Sequence, residues 1–296
     1  MTKLRILDKV IPVHLAIIVA FNLLPVCACR ANEAISSFWF NGAEINRYNL
    51  DQSRYGRQYP GHAELIFVTE PFLTQKQVKN EYDNQPSTDV LKLNALRTFN
   101  TGIYSYRTMT STFRPIDLEN YPHALKTTTS VQDWCGHSFQ QINRKENRWQ
   151  VELRSYFEKE GDQNFEINEG WLEDEFWLLL RLDPSKLPIG SIQVIPGAIA
   201  TRFGHYPIKP YQATGQLKSS SDQSIYTLNY PELKKTLEIH FDSKFPHIIR
   251  SWYETSPRGT TKAVLTHRIM NSNYWSENKP EDRVLRKQLG LELIAD

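Results

Sequence analysis

Apolar and polar residues alternate along much of this chain with the two-residue period of a β-strand. In residues 149–158 the alternation is clearest: Trp149, Val151, Leu153, Ser155 and Phe157 alternate with Gln150, Glu152, Arg154 and Glu158. Similar alternation, or a short apolar run, marks residues 63–68, 89–99, 104–113 and 126–144. Because successive side chains of a strand point to opposite faces, this pattern predicts an antiparallel sheet with one packed and one solvated face. The run at 126–144 is expected to be one long strand broken at Gly136.

The last third of the chain repeats this pattern in five short runs. They cover residues 212–218, 224–230, 236–242, 247–254 and 262–270, and polar or turn-forming segments separate them. Regular spacing with turn residues between the runs predicts an up-and-down meander. The alternative is five strands of a sandwich.

Two segments have a helical pattern. In the first, Asn168 is the expected cap, acidic residues follow in the first turn, and Pro184 stops the helix shortly after Arg181. Its Trp, Phe and Leu side chains form a broad apolar surface that must pack on something large. The second predicted helix has Pro280 in its first turn and Gly290 just past its end. Both helices are expected to pack on the sheet, so the predicted fold is mainly β with a few helices.

Residues 1–28 have the order of a secretory signal peptide. Three basic residues precede an apolar run over residues 10–24, which is too short for a stable membrane span. The segment ends in Ala28-Cys29, and a small residue directly before a cysteine is the pattern of a bacterial lipoprotein signal. We therefore predict that Cys29 becomes the acylated first residue and anchors the protein in the cell envelope, facing the periplasm. The alternatives are cleavage after Ala28 or Ala31 without acylation, which gives a soluble periplasmic protein, and a retained anchor helix.

The net charge of the chain belongs to this signal. The full sequence has 35 Lys and Arg residues against 33 Asp and Glu residues, and the predicted mature chain, residues 29–296, has 32 of each. A neutral mature chain lacks the basic surface that nucleic acids require, so no nucleic-acid partner is expected, and attachment to a membrane would come from lipid on Cys29. Residues 29–296 suffice for one large β-rich domain or for two lobes joined near residues 183–191.

The sequence lacks the motifs of common catalytic and cofactor sites. It has no glycine-rich phosphate loop, no His-Glu-x-x-His, no Cys-x-x-Cys and no Gly-x-Ser-x-Gly. The eight histidines are scattered, with no pair at the spacing of metal ligands on a helix. We therefore expect no cofactor and no metal ion.

One cluster of reactive side chains is a candidate for chemistry. On a strand, Asp133, Cys135 and His137 would point to the same side, where the imidazole and the carboxylate could activate a thiolate or help hold a metal ion. The alternative, which we favour, is that Cys135 is a small buried residue among Val131 and Phe139, with its polar neighbours hydrogen-bonded nearby.

Several stretches resemble a family of exported lipoproteins from Gram-negative bacteria. They are Ser-Phe-Trp-Phe-Asn-Gly-Ala-Glu-Ile at 37–45, Arg-Tyr-Gly at 54–56 with Ile-Phe-Val-Thr-Glu at 66–70, Phe-Asn-Thr-Gly-Ile-Tyr at 99–104 with Ser-Thr-Phe at 111–113, Trp-Cys-Gly-His at 134–137, and Gln-Val-Ile-Pro at 193–196. The resemblance covers most of the mature chain and implies an exported lipoprotein, without an established activity. Some members carry the label septum formation inhibitor Maf. True Maf nucleotide pyrophosphatases have an N-terminal Ser-x-Arg-Arg motif and alternate strands with helices, and this chain has neither feature.

At the level of the fold, the chain is similar to periplasmic lipoprotein carriers of the half-barrel type. In those proteins a long curved antiparallel sheet wraps helices and leaves an apolar cleft. The similarity implies a large curved antiparallel sheet packed on the apolar helix at 169–182, and it implies no site residue.

The expected function is therefore binding without catalysis. We expect a lipid-anchored envelope protein that binds either an apolar or acyl-bearing ligand or a protein partner. Strand aromatics such as Tyr226 and Trp252 would either line a groove for the ligand or form the core. The alternatives are an enzyme that uses Asp133, Cys135 and His137, and a structural subunit of an envelope complex, for example one related to the septum. A deep apolar groove would favour ligand binding, and a pocket that holds the Cys135 thiol would favour an enzyme. A solid core with a flat apolar patch would favour a structural subunit.

Overall fold

The alternating segments of the sequence form long strands. The computed structural model describes residues 37–82 and 85–292. The predicted signal peptide and the predicted acylation site Cys29 lie outside these residues. The strands are β1 Ala43–Arg54, β2 Arg57–Leu73, β3 Val78–Lys79, β4 Ser87–Thr101, β5 Tyr104–Pro115, β6 Lys126–Asp133, β7 Gly136–Lys145, β8 Arg148–Ser155, β9 Gln163–Ile167, β10 Trp171–Leu172, β11 Gly190–Ile195, β12 Tyr211–Ser219, β13 Gln223–Tyr230, β14 Lys235–Asp242, β15 Ile249–Ser256 and β16 Gly259–Ser272.

These strands form one large, open, curved sheet whose order follows the chain closely. Within the described residues the order is β10-β11-β12-β13-β14-β15-β16-β1-β2-β4-β5-β6-β7-β8-β9, and β3 pairs with β2. Neighbouring strands are antiparallel, except for the short parallel pair β10 and β11. The meander predicted for the last third of the chain is confirmed as β12 to β16. Mostly short turns join the neighbours, which explains why chain order and sheet order agree.

The segment at 126–144 is a hairpin and not one broken strand. β6 ends at Asp133 and β7 begins at Gly136, so that Trp134 and Cys135 form the turn between them. The two strands pair in an antiparallel register in which Asp133 lies opposite Gly136. A turn at this position reverses the chain, and this moves the three candidate residues out of a common strand.

Four helical segments are present in the described residues: α1 Glu173–Leu182, α2 Ala198–Gly204, and the 3₁₀ helices Pro184–Lys186 and Pro280–Leu289. The expected cap at Asn168 is wrong, because Trp171 and Leu172 pair with β11 and α1 begins only at Glu173. The carboxylate of Glu175 accepts a hydrogen bond from the backbone N–H of Leu172 at 3.0 Å and caps the helix instead. Gly290 ends the C-terminal helix with a φ of 60°, as its sequence predicts.

The sheet curves around α1. Phe176, Leu178, Leu179 and Leu180 of this helix are fully buried. The ring of Phe176 packs edge-on against Tyr226 at 5.6 Å between centroids, and Trp177 packs against Trp252 at 5.2 Å. Of the strand aromatics that the sequence assigned either to a groove or to the core, Tyr106, Tyr226, Tyr230 and Trp252 belong to the core, each no more than 1% exposed. Tyr104 and Tyr253 are half-buried. The centre of the concave face is thus filled by α1 and by large side chains.

Buried ion pairs attach α1 to strands on several sides of the sheet. They join Glu173 to Lys235 of β14, Glu175 to Arg114 of β5, and Arg181 to Glu44 of β1. Residues 183–191, the predicted position of a junction between lobes, hold a 3₁₀ helix and the start of β11. They lie within one compact unit that begins at Phe38.

Candidate ligand-binding cleft at one rim of the sheet

One rim of the sheet carries α2 and every second connection between strands. In an antiparallel meander, alternate connections lie at the same end of the strands. This rim therefore holds the turns β1–β2, β4–β5, β6–β7, β8–β9, β13–β14 and β15–β16, together with the β11–β12 connection that contains α2. We call it the α2 rim.

Polar contacts hold α2 in place at this rim. The carbonyl oxygen of Phe203 accepts hydrogen bonds from the guanidinium groups of Arg54, at 3.2 Å, and Arg258. At the other end of α2, the Asp174 carboxylate accepts a hydrogen bond from the backbone N–H of Ala198 at 3.3 Å. Burial, and next the nearby Glu173 carboxylate, raise the pKa of Asp174 to about 7. The position of α2 is thus set by groups from two neighbouring hairpins of the sheet, β1–β2 and β15–β16, and from α1.

A cleft of about 770 Å³ lies between α2 and the strands β6 to β9. This volume is in the range of small-molecule sites. The lining residues come from three places. The sheet contributes Thr129, Val131, Ser138, Gln140, Leu153, Gln163, Asn164 and Phe165; the β8–β9 loop contributes Lys159, Glu160 and Asp162; and the β11–β12 connection contributes Ala198, Thr201, Arg202, His205, Tyr206, Pro207 and Ile208.

Glu160 fastens the β8–β9 loop to α2 at the edge of this cleft. Its carboxylate lies 3.2 Å from Nη1 of Arg202 and 3.1 Å from Nδ1 of His205, and it accepts a hydrogen bond from Oγ of Ser155 at 2.8 Å. The guanidinium of Arg202 also stacks over the ring of Phe157 at 4.0 Å. The loop and the helix therefore form one wall, held by this carboxylate and by the contact of Arg202 with Phe157.

Polar groups with free hydrogen-bonding capacity line the floor of the cleft. Ser138 and Gln140 are 5% and 7% exposed, yet neither side chain has a hydrogen-bond partner within residues 37–82 and 85–292. Lys159 on the loop likewise has no ion-pair partner in the described part of the chain. Buried amide and hydroxyl groups are normally hydrogen-bonded. Because these side chains have no protein partner among the described residues, we infer that they form hydrogen bonds with water or with a ligand in the cleft.

The structure does not assemble the candidate trio into a catalytic arrangement. Asp133 accepts hydrogen bonds from the backbone N–H groups of Cys135, at 2.7 Å, and Gly136, at 3.2 Å, and so stabilises the β6–β7 turn. Cys135 is exposed at this turn, and the expectation that it is buried among Val131 and Phe139 is wrong. His137 is also exposed, and its backbone lies opposite Gln132 in the ladder. The reason is the turn at 134–135, which separates residues that a continuous strand would align.

Sequence reasoning missed the cleft residues. Glu160, Arg202 and His205 come from two loops and a short helix that share no motif, and their charges are typical of ordinary solvated turns. The exception is Gln140, a polar residue on the inward side of an alternating strand between Ser138 and Ile142, because an inward amide needs a partner. An inward polar residue at position 140 was therefore the sequence feature that could have indicated a polar cleft.

Large apolar side chains project from neighbouring turns of the α2 rim. Tyr55, Ile103, Trp134 and Tyr156 occupy the β1–β2, β4–β5, β6–β7 and β8–β9 connections and are 58%, 84%, 71% and 76% exposed. Beside them, the Tyr104 hydroxyl donates to the Tyr55 hydroxyl at 3.2 Å. We call these four residues the apolar tips. Their repetition at adjacent turns exceeds the scattered apolar exposure that is normal for a protein surface.

A second cleft, of about 810 Å³, lies at the opposite rim. Its lining includes His123, Arg144 and Trp171. The ring of His123 packs against Trp171 at 4.4 Å between centroids, and its Nδ1 lies 3.2 Å from the Glu175 carboxylate that caps α1. These side chains have partners inside the fold, so the first cleft is the better candidate for a ligand.

Within the described residues, no group of three or more His, Cys, Asp or Glu side chains is arranged to hold a metal ion. None of the helices in residues 37–82 and 85–292 combines the length and the apolar character needed to cross a membrane.

Comparison with known proteins gives a match to a solved structure and no match to a family model or a curated protein. No protein-family model matches the sequence, and no curated protein matches it. Among solved structures, the chain is similar to a β-barrel-like protein of the domain of unknown function DUF1849 from Brucella abortus. The two are 9% identical, the match covers 77% of this chain and 98% of the other, and the TM-score is 0.48.

Proposed function

We propose that this protein is a lipid-anchored binding protein of the cell envelope that holds a ligand in the cleft between α2 and strands β6 to β9, without catalysing a reaction. The observation that carries the proposal is the cleft itself. It combines a ligand-sized volume with unpartnered polar groups on its floor and with apolar side chains such as Leu153 and Phe165. Those groups converge on one space, as in ligand sites generally.

The proposed anchor rests on the lipoprotein pattern at Cys29 and on the resemblance to exported lipoproteins. β1 begins at Ala43 on the rim opposite α2 and runs toward the α2 rim. A chain tethered through its N-terminus enters the sheet at that opposite rim. This arrangement supports a cleft that opens toward the periplasm.

Filling the cleft tests the proposal. Ile208→Trp adds volume at a half-buried wall position, and Ile189→Trp makes the same change at a site outside the cleft that is 58% exposed. Native mass spectrometry of the protein purified from the envelope should show a bound small molecule with the wild type and with Ile189→Trp, and none with Ile208→Trp. Equal occupancy in all three proteins would contradict the proposal, provided that circular dichroism shows all three to be folded.

Protein binding at the apolar tips is a second candidate function, supported by the exposure of Tyr55, Ile103, Trp134 and Tyr156 at adjacent turns. Aromatic side chains with exposed faces are common in the centres of protein interfaces. A photo-crosslinking residue at position 134 should give one defined adduct in intact cells, and a matched crosslinker at Val284, which is 59% exposed on the C-terminal 3₁₀ helix, should not. The same adduct from both positions would argue against a specific surface. The enzyme alternative has less support, because Asp133, Cys135 and His137 form no hydrogen-bonded relay.

A further inference from the structure

We propose that the ligand of this cleft is an uncharged polyhydroxylated molecule, that is, a saccharide. This inference rests on the proposed function and makes it more specific, because it names the chemical class that the lining recognises. Three properties of the lining carry it: free hydrogen-bonding groups on the floor, a balance of charge at the edge, and apolar faces between them.

The floor requires a ligand that forms hydrogen bonds. Gln140 presents an amide with two donor hydrogens and an acceptor oxygen, and Ser138 presents a hydroxyl. Both side chains are more than nine-tenths buried, and neither has a partner among the described residues. An acyl chain in this position would displace water from these groups and leave them unpaired, which is unfavourable. Sugar hydroxyls both donate and accept, and so fit them.

The edge does not select for a charged ligand. Two cationic side chains, Lys159 and Arg202, and two carboxylates, Glu160 and Asp162, line the cleft in equal number. Glu160 is already occupied by Arg202 and by the ring of His205, as described above. An anionic ligand would therefore meet as much repulsion as attraction. A neutral ligand avoids this cost and can still form charge-assisted hydrogen bonds with the same side chains.

Apolar faces complete the match. Phe165 and Tyr206 line opposite walls of the cleft, one on the sheet and one after α2, and each is only partly buried. The hydroxyl of Tyr206 has no hydrogen-bond partner within the described residues. Pyranose rings present C–H groups on their faces and hydroxyls on their edges. A sugar can thus contact the aromatic walls and bond to the polar floor at once.

The experiment uses the exported full chain carrying Cys29→Ser, so that no acyl group of the protein itself competes for the cleft. Chitotetraose, cellotetraose and maltotetraose are the sugar probes, and dansyl-undecanoate is the acyl probe. Binding is measured by saturation-transfer NMR and titration calorimetry. We expect at least one sugar to bind, and Gln140→Leu to weaken it by about tenfold, the effect of losing one hydrogen bond.

Gln216→Leu is the matched control, because Gln216 is exposed on β12 outside the cleft. It should bind the sugar like the wild type. Ser138→Ala, which only removes a hydroxyl, provides a second test in case Gln140→Leu does not fold, and it too should weaken sugar binding.

Binding of dansyl-undecanoate that Ile208→Trp abolishes, with no binding of any sugar, would overturn the saccharide proposal and leave a ligand-binding cleft intact. Sugar binding that Gln140→Leu and Ser138→Ala leave unchanged would also overturn it. If neither class of probe binds and Ile208→Trp has no effect on a co-purified ligand, the saccharide proposal and the proposed function both fail.

Discussion

Arg181 near the end of α1 and Glu44 near the start of β1 form a double ion pair inside the core. Nη1 of Arg181 lies 2.9 Å from one carboxylate oxygen and Nη2 lies 2.7 Å from the other. Both side chains are almost completely buried. The guanidinium also lies over the rings of Trp39 and Phe67, at 4.9 and 4.4 Å from their centroids. This pair fixes the end of the central helix to the middle of the sheet.

Removing one partner should be strongly destabilising. Arg181→Met leaves the buried Glu44 carboxylate with Arg268, at 3.2 Å, and with the side-chain amide of Asn46, at 2.8 Å. We expect a loss of about 3–5 kcal/mol in the free energy of unfolding, measured by urea denaturation, because a carboxylate that stays in the core loses its double ion pair. Arg250→Met removes a similar pair with Asp242 in which the arginine is 49% exposed. It should cost less than about 1 kcal/mol, and equal losses in the two variants would refute the argument.

The same pair predicts how stability depends on pH. Burial acts to raise the pKa of Glu44, but the charges and hydrogen bonds of Arg181 and then Arg268 outweigh it and lower the pKa from 4.5 to about 2. A lowered carboxyl pKa stabilises the fold above about pH 4.5, and that contribution is lost as the pH falls toward about 2. The shift corresponds to about 3 kcal/mol.

Urea unfolding of the wild type and of Glu44→Gln at a series of pH values measures this contribution. The difference between the two proteins should be largest near neutral pH and should shrink through the window from about pH 4.5 to about pH 2. A difference that stays constant across the window would contradict the assignment.

Cys135 should behave as an exposed surface thiol. It lies in the β6–β7 turn, so the native protein should react with a thiol reagent about as fast as the unfolded protein, and this reaction should be absent in Cys135→Ala. That substitution should change the free energy of unfolding by no more than about 0.5 kcal/mol. Asp133→Ala should cost about 1 kcal/mol, because two backbone N–H groups of the turn lose their acceptor. A native reaction much slower than the unfolded one would show that the thiol is protected.

Glu160→Gln should release the β8–β9 loop from α2. The variant loses the carboxylate charge that contacts Arg202 and His205, so residues 156–162 should exchange their backbone hydrogens faster, while the central strands keep their protection. Hydrogen exchange followed by mass spectrometry measures both regions. Glu158→Gln is the control, since Glu158 is an exposed carboxylate in the same loop. Similar acceleration in both variants would show that Glu160 does not fasten the loop.

The lipid anchor is tested at Cys29. Cys29→Ser should abolish metabolic labelling with a radioactive fatty acid and release the protein from membranes, because acyl transfer requires the thiol. Cys135→Ser, which keeps Cys29, should label like the wild type. Labelling of the Cys29→Ser variant, or no labelling of the wild type, would exclude acylation at this residue.

The strands were readable from the sequence because their signal is local. The alternation from Trp149 to Ser155 reports which side of a strand is packed, whichever strand lies opposite. Short turns then make consecutive strands neighbours, which is why the spacing of the runs favours the meander that β12 to β16 form. The error at Cys135 shows the limit of this reasoning. A shift of two residues in the position of a turn decides whether a side chain belongs to a strand face or to solvent.

Tertiary structure alone decided what surrounds α1 and where the cleft lies. The sequence determined that α1 has a broad apolar surface and that Arg181 lies near its end. It did not determine that the partner of Arg181 is Glu44, which is 137 residues away in the chain. Likewise, the cleft forms because the curvature of the sheet brings β6 to β9 beside α2, and Glu160 meets Arg202 across 42 residues of chain. Local sequence determines which segments form strands or helices and which side of each is apolar. Contacts between distant segments depend instead on the curvature of the whole sheet, which is the sum of many small strand twists.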